Sequence, residues 1–380
     1  MEEERLLDLA AQYKNESFFG RYIPLEEVEK FIADFPSTQK SVLGESVLGL
    51  PIHQLNFGEG SIKVLMWSQM HGNETTTTKA LIDFIGFLQS DSAEAKEILS
   101  KISFRFILML NPDGAKKYTR KNANDVDLNR DAQRCSQPES KVFKKLYTEF
   151  QPDYCFNLHD QRTLFGVGEP AKPATVSFLA PAFNEDRDVD ESRITAMQLI
   201  VYMNMSLQKI IPNQVGRYDD GFNLNCVGDT LQNLGIPTVL FEAGHFKGDY
   251  NREETRKLIL IALIKSTWGL STKTYKNTDY QEYFKIPENK KCFYDVILRN
   301  AEKRDADLAI QYKETLIDNK ISFVPFLETL GNLEAYMGHQ EMDVSGKKLL
   351  LNRQENLSEI AEIQEISLDG KECLVNLTKA

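Results

Sequence analysis

The sequence is short of what a membrane, nucleic-acid or disulfide-built protein needs. No run approaches the roughly 20 apolar residues of a membrane-spanning helix. The N-terminus opens Met-Glu-Glu-Glu-Arg without an apolar stretch, so neither a membrane contact nor a secretory leader is expected. Basic residues are outnumbered: 45 Lys and Arg against 56 Asp and Glu leave a formal charge of −11. That disfavours a nucleic-acid partner, because phosphate binding needs a basic face. The five cysteines (Cys135, Cys155, Cys226, Cys292, Cys373) are scattered, odd in number and form no CxxC pair. They do not read as a disulfide framework, which points to a reducing, cytoplasmic setting. Internal repeats and low-complexity tracts are absent too. What remains is ordinary globular composition, 42% hydrophobic and 27% charged over 380 residues. That is enough chain for one large core and a second small domain.

Apolar periodicity predicts strands alternating with helices. Residues 1–40 read as a helical segment, with Leu6, Leu7, Leu9 and Ala10 on one apolar face and Leu25, Val28, Phe31 and Ile32 on another. Strand-like runs are expected at 41–48, 52–57, 61–68, 102–110, 154–158, 176–179 and 237–241. Helical spacing recurs over 75–89, 93–100, 138–150, 191–211, 227–234 and 252–270. Such alternation predicts an α/β fold, a doubly wound mixed, mainly parallel sheet with helices on both faces. This main domain is expected over 41–270. Residues 271–287 lack apolar periodicity and read as a linker. From Cys292 the pattern changes to short runs at 293–298, 321–326, 348–351 and 373–377. These predict a small β-rich domain over 288–380.

The chemistry-bearing residues gather at the carboxyl ends of the expected strands, the edge where open α/β sheets place their ligand sites. His71 and Glu74, in Trp67-Ser-Gln-Met-His-Gly-Asn-Glu-Thr75, sit between a strand and a helix and can point at one ion. His159 ends the run Tyr154-Cys-Phe-Asn-Leu-His159. Together they make a His₂Glu set with an open fourth position, the donor pattern of a catalytic zinc site. The loop after Asn111-Pro-Asp-Gly114 carries Arg120, Asn129 and Arg130. A guanidinium is always charged and its fork fits a carboxylate. Arg130 with Asn129 could clasp a substrate carboxylate, and Arg120 could stabilise an oxyanion. Glu242 ends Pro237-Thr-Val-Leu-Phe-Glu242. A carboxylate leaving an apolar strand into a cleft is partly desolvated, which raises its pKa toward the range of a general base. His53, His245 and His339 have no spacing partners and read as bystanders.

In this order HGNE, NPDG, RKNANDVDLNRD, the strand-end His159 and FEAG resemble the zinc carboxypeptidases of the carboxypeptidase A type, the funnelins, over about residues 40–270. The nine-residue step from Arg120 to Asn129 is similar to the regulatory branch and to the bacterial murein-peptide amidases. The resemblance implies one zinc per chain on His71, Glu74 and His159, with Arg120 polarising the scissile carbonyl. It implies that Asn129 and Arg130 hold the terminal carboxylate and that Glu242 is general base and acid. Tyr218, some twenty residues before Glu242, best matches a family tyrosine that contacts substrate. The expected activity is hydrolysis of a C-terminal amide bond in small peptides. HGNE and DLNR also resemble the aspartoacylase and succinylglutamate desuccinylase branch, which carries a small β domain, so the alternatives are deacylation of N-acyl amino acids or the murein-peptide amidase activity. A carboxylate- or peptide-binding module is the non-enzymatic one. Asp131-Ala132 departs from the aromatic that the family often has after its Asn-Arg pair. It implies weaker carboxylate capture or a cationic group on the substrate, a role Asp229 could share. The pattern leaves the oligomeric state open.

Overall fold

The computed structural model describes residues 1–301, 306–354 and 362–372. Two short helices lead, α1 (Glu3–Gln12) and α2 (Leu25–Ala33). Then come β1 (Lys40–Glu45), β2 (Pro51–Phe57), β3 (Ile62–Trp67), α3 (Thr76–Leu88), α4 (Ala93–Lys101), β4 (Ile102–Ile107), α5 (Pro112–Lys117) and α6 (Pro138–Phe150). The next stretch holds β5 (Tyr154–Asp160), β6 (Phe165–Val167), β7 (Lys172–Pro173), β8 (Val176–Leu179), α7 (Glu191–Ile210), β9 (Val215–Arg217), α8 (Val227–Asn233), β10 (Thr238–Ala243) and α9 (Glu253–Thr272). The C-terminal part is β11 (Lys290–Lys291), β12 (Phe293–Ala301), β13 (Ala306–Ile317), β14 (Lys320–Gly331), β15 (Met337–Asp343), β16 (Leu349–Leu351), β17 (Ile366–Leu368) and β18 (Lys371–Glu372).

Eight strands form the central sheet in the order β1-β2-β4-β3-β5-β10-β8-β9. The inner run β4-β3-β5-β10 is parallel, and the antiparallel pairs lie outside it. This is the mixed, mainly parallel sheet expected of the sequence. The pleat sorts its side chains. Val64 and Met66 of β3 join a core with α1, α3, α7 and α9, whereas Leu65 and Trp67 join another with Phe143 of α6 and Leu231 of α8. The helices therefore cover both faces.

Helix α3 is buried along nearly its whole length, and α9 packs on it. The pair is locked by Asp83 and Arg256, whose side chains are each only 1% exposed. Both guanidinium contacts, Nε to Oδ2 and Nη2 to Oδ1, are 2.6 Å. Burial still holds the Asp83 carboxyl above its ordinary range despite that partner. A pair of this kind fixes register more than it adds net stability, yet removing one partner strands the other charge.

Residues 271–287 do not form the expected linker. They make 3-10 turns at Thr274–Asn277 and Tyr280–Lys285 packed on the main core. Tyr275 and Tyr283 are fully buried and Ile286 nearly so. Tyr154 and Tyr275 hydroxyls meet at 3.0 Å, and Tyr283 Oη accepts the Ala180 N–H at 3.1 Å. Aromatics spaced along turns carry the burial here, so no helical or strand period marks it. The N-terminal segment is likewise part of the main core through Leu6, Leu9 and Ala10. The C-terminal region is β-rich as expected: a four-stranded sheet β14-β13-β12-β15 and a three-stranded sheet β16-β17-β18. The expected run 373–377 lies outside the described residues. Asp83→Ala should cost about 1.5–3 kcal/mol of folding free energy, read by denaturant titration, because buried Arg256 loses both contacts to the carboxylate and keeps Glu253 Oε2 at 3.1 Å as its remaining ionic partner.

Candidate metal centre and cleft

The loop from β3 to α3 is shaped by a close backbone approach. Gln69 takes a left-handed φ of 44°. Asn111, fully buried at the start of α5, donates its N–H to Gln69 O at 2.9 Å and its Nδ2 to Met70 O at 3.2 Å. Its Oδ1 accepts the Gly114 N–H at 2.9 Å, so the expected Asn-Pro-Asp-Gly turn is a capped helix start. A Cβ on Gly72 would lie 2.0 Å from the Gly114 carbonyl carbon. The two glycines of HGNE and NPDG are thus explained together: the loops touch backbone to backbone.

This loop brings His71 and Glu74 beneath the end of β5, where His159 stands. His71 Nδ1 lies 2.8 Å from Glu74 Oε1, and His159 Nδ1 lies 2.7 Å from Glu74 Oε2. The two imidazole Nδ1 atoms are 3.2 Å apart. Among the described residues these three form the group able to hold a metal, all buried, with ligand atoms within 4.8 Å of one another. A tetrahedral zinc with bonds near 2.0 Å sets neighbouring donors about 3.3 Å apart, so the donor set and its spacing fit that ion.

Asp127, which sequence reasoning passed over, completes the arrangement. Its Oδ1 is 3.0 Å from His71 Nε2. A carboxylate accepts, so Nε2 carries the proton and the Nδ1 lone pair faces the centre. Arg120 Nε donates to Asp127 Oδ2 at 3.0 Å, and its Nη1 reaches Glu74 Oε1 at 3.5 Å. Burial would raise the carboxyls of Glu74 and Asp127, but the facing imidazoles outweigh it and hold both well below the usual range. Burial lowers the pKa of His159 in spite of Glu74, which keeps its ring neutral as a ligand must be.

Glu242 pairs in register with His159 across β10 and β5. Burial pushes its carboxyl well above the ordinary value, with Glu74 and Asp160 adding to the push. Its Oε2 is buried without a hydrogen-bond partner. Tyr218 packs against Phe165 with the rings tilted and their centroids 5.4 Å apart, and burial keeps its hydroxyl protonated as a donor. Asn129 accepts the Val227 N–H at 2.9 Å through Oδ1, which leaves its Nδ2 to donate. Arg130 Nη1 donates to Asn129 O at 2.7 Å. All eight expected site residues line one cavity of about 660 Å³.

Two expectations about specificity part company. Asp131 is turned away from the cavity and accepts from Ser136 N, Ser136 Oγ and Gln137 N. It caps the local turn, which explains an acid beside Arg130. Asp229 lies in the cavity wall, its carboxyl pushed up to about 6 by burial. The wall also includes Asn157, Leu179 and Leu240 from the strands themselves. Asn157 was readable from its two-residue step to His159. Asp127 was readable from its two-residue step to Asn129. Asp160 accepts the Thr76 and Thr77 N–H groups at 2.9 and 3.1 Å and so ties β5 to the start of α3. Arg21, buried in the same cavity, had no signal in the sequence. His53, His245 and His339 stand outside the donor cluster, and the rings of the last two lie tilted with centroids 4.2 Å apart. Asp127→Ala should weaken zinc binding about 10–100-fold in chelator competition, because His71 loses the group that fixes its tautomer and ring.

Residues 25–162 match the Zinc carboxypeptidase family. Over 102 residues the chain is 28% identical to a probable carboxypeptidase 2 of Arthroderma benhamiae and to carboxypeptidase 2 of Trichophyton rubrum, 26% of this chain and 19% of either relative. The chain thus spans about a fifth of the length of these curated relatives. Its fold is similar to that of thrombin activatable fibrinolysis inhibitor (TM-score 0.54, 16% identity, 72% of this chain and 81% of that one). It is also similar to a putative carboxypeptidase A from Shewanella denitrificans (0.53, 15% identity, 66% and 71%) and a metallo-carboxypeptidase from Burkholderia cenocepacia (0.51, 17% identity, 67% and 70%). The matched segment contains HGNE, NPDG, the DLNR loop and His159, so the part of the chain that is similar to the zinc carboxypeptidases is the part that holds the donor cluster.

Proposed function

We propose that the protein is a zinc-dependent amide hydrolase that releases the C-terminal residue of small peptides. The observation that carries this reading is Glu242, a half-buried residue with one buried oxygen that has no hydrogen-bond partner, standing in register beside a His₂Glu donor cluster in a cavity lined by Arg120, Arg130 and Asn129. Zinc, one per chain on His71, Glu74 and His159, supplies a Lewis acid that polarises a carbonyl and makes water acidic.

The chain's own groups do the rest. The Glu242 carboxylate takes a proton from the attacking water and returns it to the leaving amine; burial raises its basicity for the first step and its neighbouring carboxylates reinforce that. Arg120, held by Asp127, donates to the carbonyl oxygen as it gains negative charge. Arg130 and Asn129 Nδ2 clasp the terminal carboxylate, and Tyr218 Oη donates to the bound peptide. Asp229 faces the side chain of the departing residue and favours a cation there. No helix among the described residues is long and apolar enough to cross a membrane. The free cysteines Cys135, Cys155, Cys226 and Cys292 support the cytoplasm as its compartment.

Glu242→Gln should keep zinc and lose at least about 100-fold in kcat, the usual size of acid–base catalysis; near-normal turnover would remove Glu242 from the mechanism. The Asp229 carboxyl has a folded pKa raised to about 6, so it is ionised above that value and neutral below. The kcat/KM ratio for C-terminal Lys over Leu should therefore fall as pH drops through about 6. In Asp229→Asn the ratio should be low and flat with pH, and a pH-dependent preference surviving there would clear Asp229 of the role.

A further inference from the structure

We propose that the C-terminal β-sheet is a wall of the cleft and a gate on substrate length, so that only short substrates are processed. The proposal rests on the amide-hydrolase reading and names its substrate class. The sheet docks on the ligand edge of the central sheet, and each anchor lies close in sequence to a site residue. Gln311 Nε2 donates to Thr163 Oγ1 at 2.7 Å and His339 Nε2 to Thr163 O at 2.8 Å, just beyond His159. Tyr250 Oη donates to Asp295 Oδ1 at 2.9 Å, just beyond Glu242. Tyr118 Oη donates to Glu314 Oε2 at 2.5 Å, beside Arg120, and Arg21 pairs with Glu314 Oε1 at 2.9 Å. Strand β11 adds an antiparallel pairing to β6.

The cavity passes between these anchors. Besides the catalytic residues, Gln311, Tyr312, Lys313 and Glu314 of β13 and Phe323 and Phe326 of β14 line it. Its lining runs from the Asn129–Arg130 loop to Arg21 and Arg252. The Asn129–Arg130 end follows Leu128, which packs with α6 and α8. The other end holds Arg21, between Phe18 and Ile23 of the core on the α3–α9 face, and Arg252, next to the start of α9. A peptide whose carboxylate sits at Asn129 and Arg130 runs across the metal centre toward β13 and β14. A volume of about 660 Å³ is that of a pocket enclosing a drug-sized ligand. It has room for a few residues on the acyl side of the scissile bond, and a longer chain must pass along the wall formed by β13 and β14.

The test uses the full zinc-loaded chain and substrates that share one C-terminal residue, with the acyl side extended from acetyl to a peptide of about ten residues. The expected kcat/KM is highest for acyl groups of one or two residues and at least about 100-fold lower for the longest. Phe326→Ala, and separately the exposed Lys313→Ala, should raise the long-to-short ratio about tenfold, with thermal melting confirming the fold of each. Equal kcat/KM along the series overturns the gate and leaves the hydrolase reading standing. A steep length dependence unmoved by either variant overturns the assignment to β13 and β14. Cleavage of the acetyl substrate alone keeps the gate and replaces peptides by N-acyl amino acids. No hydrolysis at any length overturns both.

Discussion

Three donor atoms from one loop and one strand end must meet within one bond length of a common point, and the backbone contact between Gly72 and Gly114 is what allows it. Strands β3 and β5 are parallel neighbours, so the ends that carry the ligands are already adjacent. The chain after β3 must then turn back sharply enough to present His71 and Glu74 to His159. It does so by lying on the first turn of α5, with Asn111 holding Gln69 and Met70 in place. Any side chain on Gly72 would push the loop off that surface. The donor geometry is thus a consequence of packing between two loops that share no ligand.

The same small volume gives two glutamates opposite characters. Glu74 faces two imidazoles, which overcome burial and keep it an anion fit to ligate a cation. Glu242 lies one strand away from His159, faces Glu74 and Asp160, and is held in its neutral form until an added positive charge or a departing proton changes the balance. Environments that drive two carboxyls apart in this way divide acid–base work between them. Arg120 and Asp127 connect the pair to the substrate side of the cleft. One guanidinium touches the carboxylate that orients His71 and approaches the carboxylate that ligates.

Much of this could be read before any coordinates. The α/β order, the strand-end placement of His71, Glu74, His159 and Glu242, and the β-rich C-terminal region all follow from period and punctuation. What escaped the reading escaped for physical reasons. Residues 271–287 bury tyrosines whose hydroxyls find partners in the core, so burial came without an aliphatic period. Strand β13 mixes Leu308-Ala-Ile310 with polar residues that face the cleft, which broke its alternation. Asp127 acts through His71 and not on the ion, so its two-residue step to Asn129 was the signal it left. Arg21 reaches the cavity only because the N-terminal segment folds onto α3, a long-range contact no local pattern records. Asp131 looked like a specificity residue because it adjoins Arg130, yet adjacent residues on a tight turn point different ways.

The account stands on His159 joining His71 and Glu74 at one ion. Zinc content per folded chain, measured after exhaustive dialysis for the native protein and for His159→Ala, tests this most directly. The account predicts about one zinc for the native chain and essentially none for the variant, whose far-ultraviolet circular dichroism stays unchanged. Equal zinc retention by both would place the metal elsewhere and contradict it.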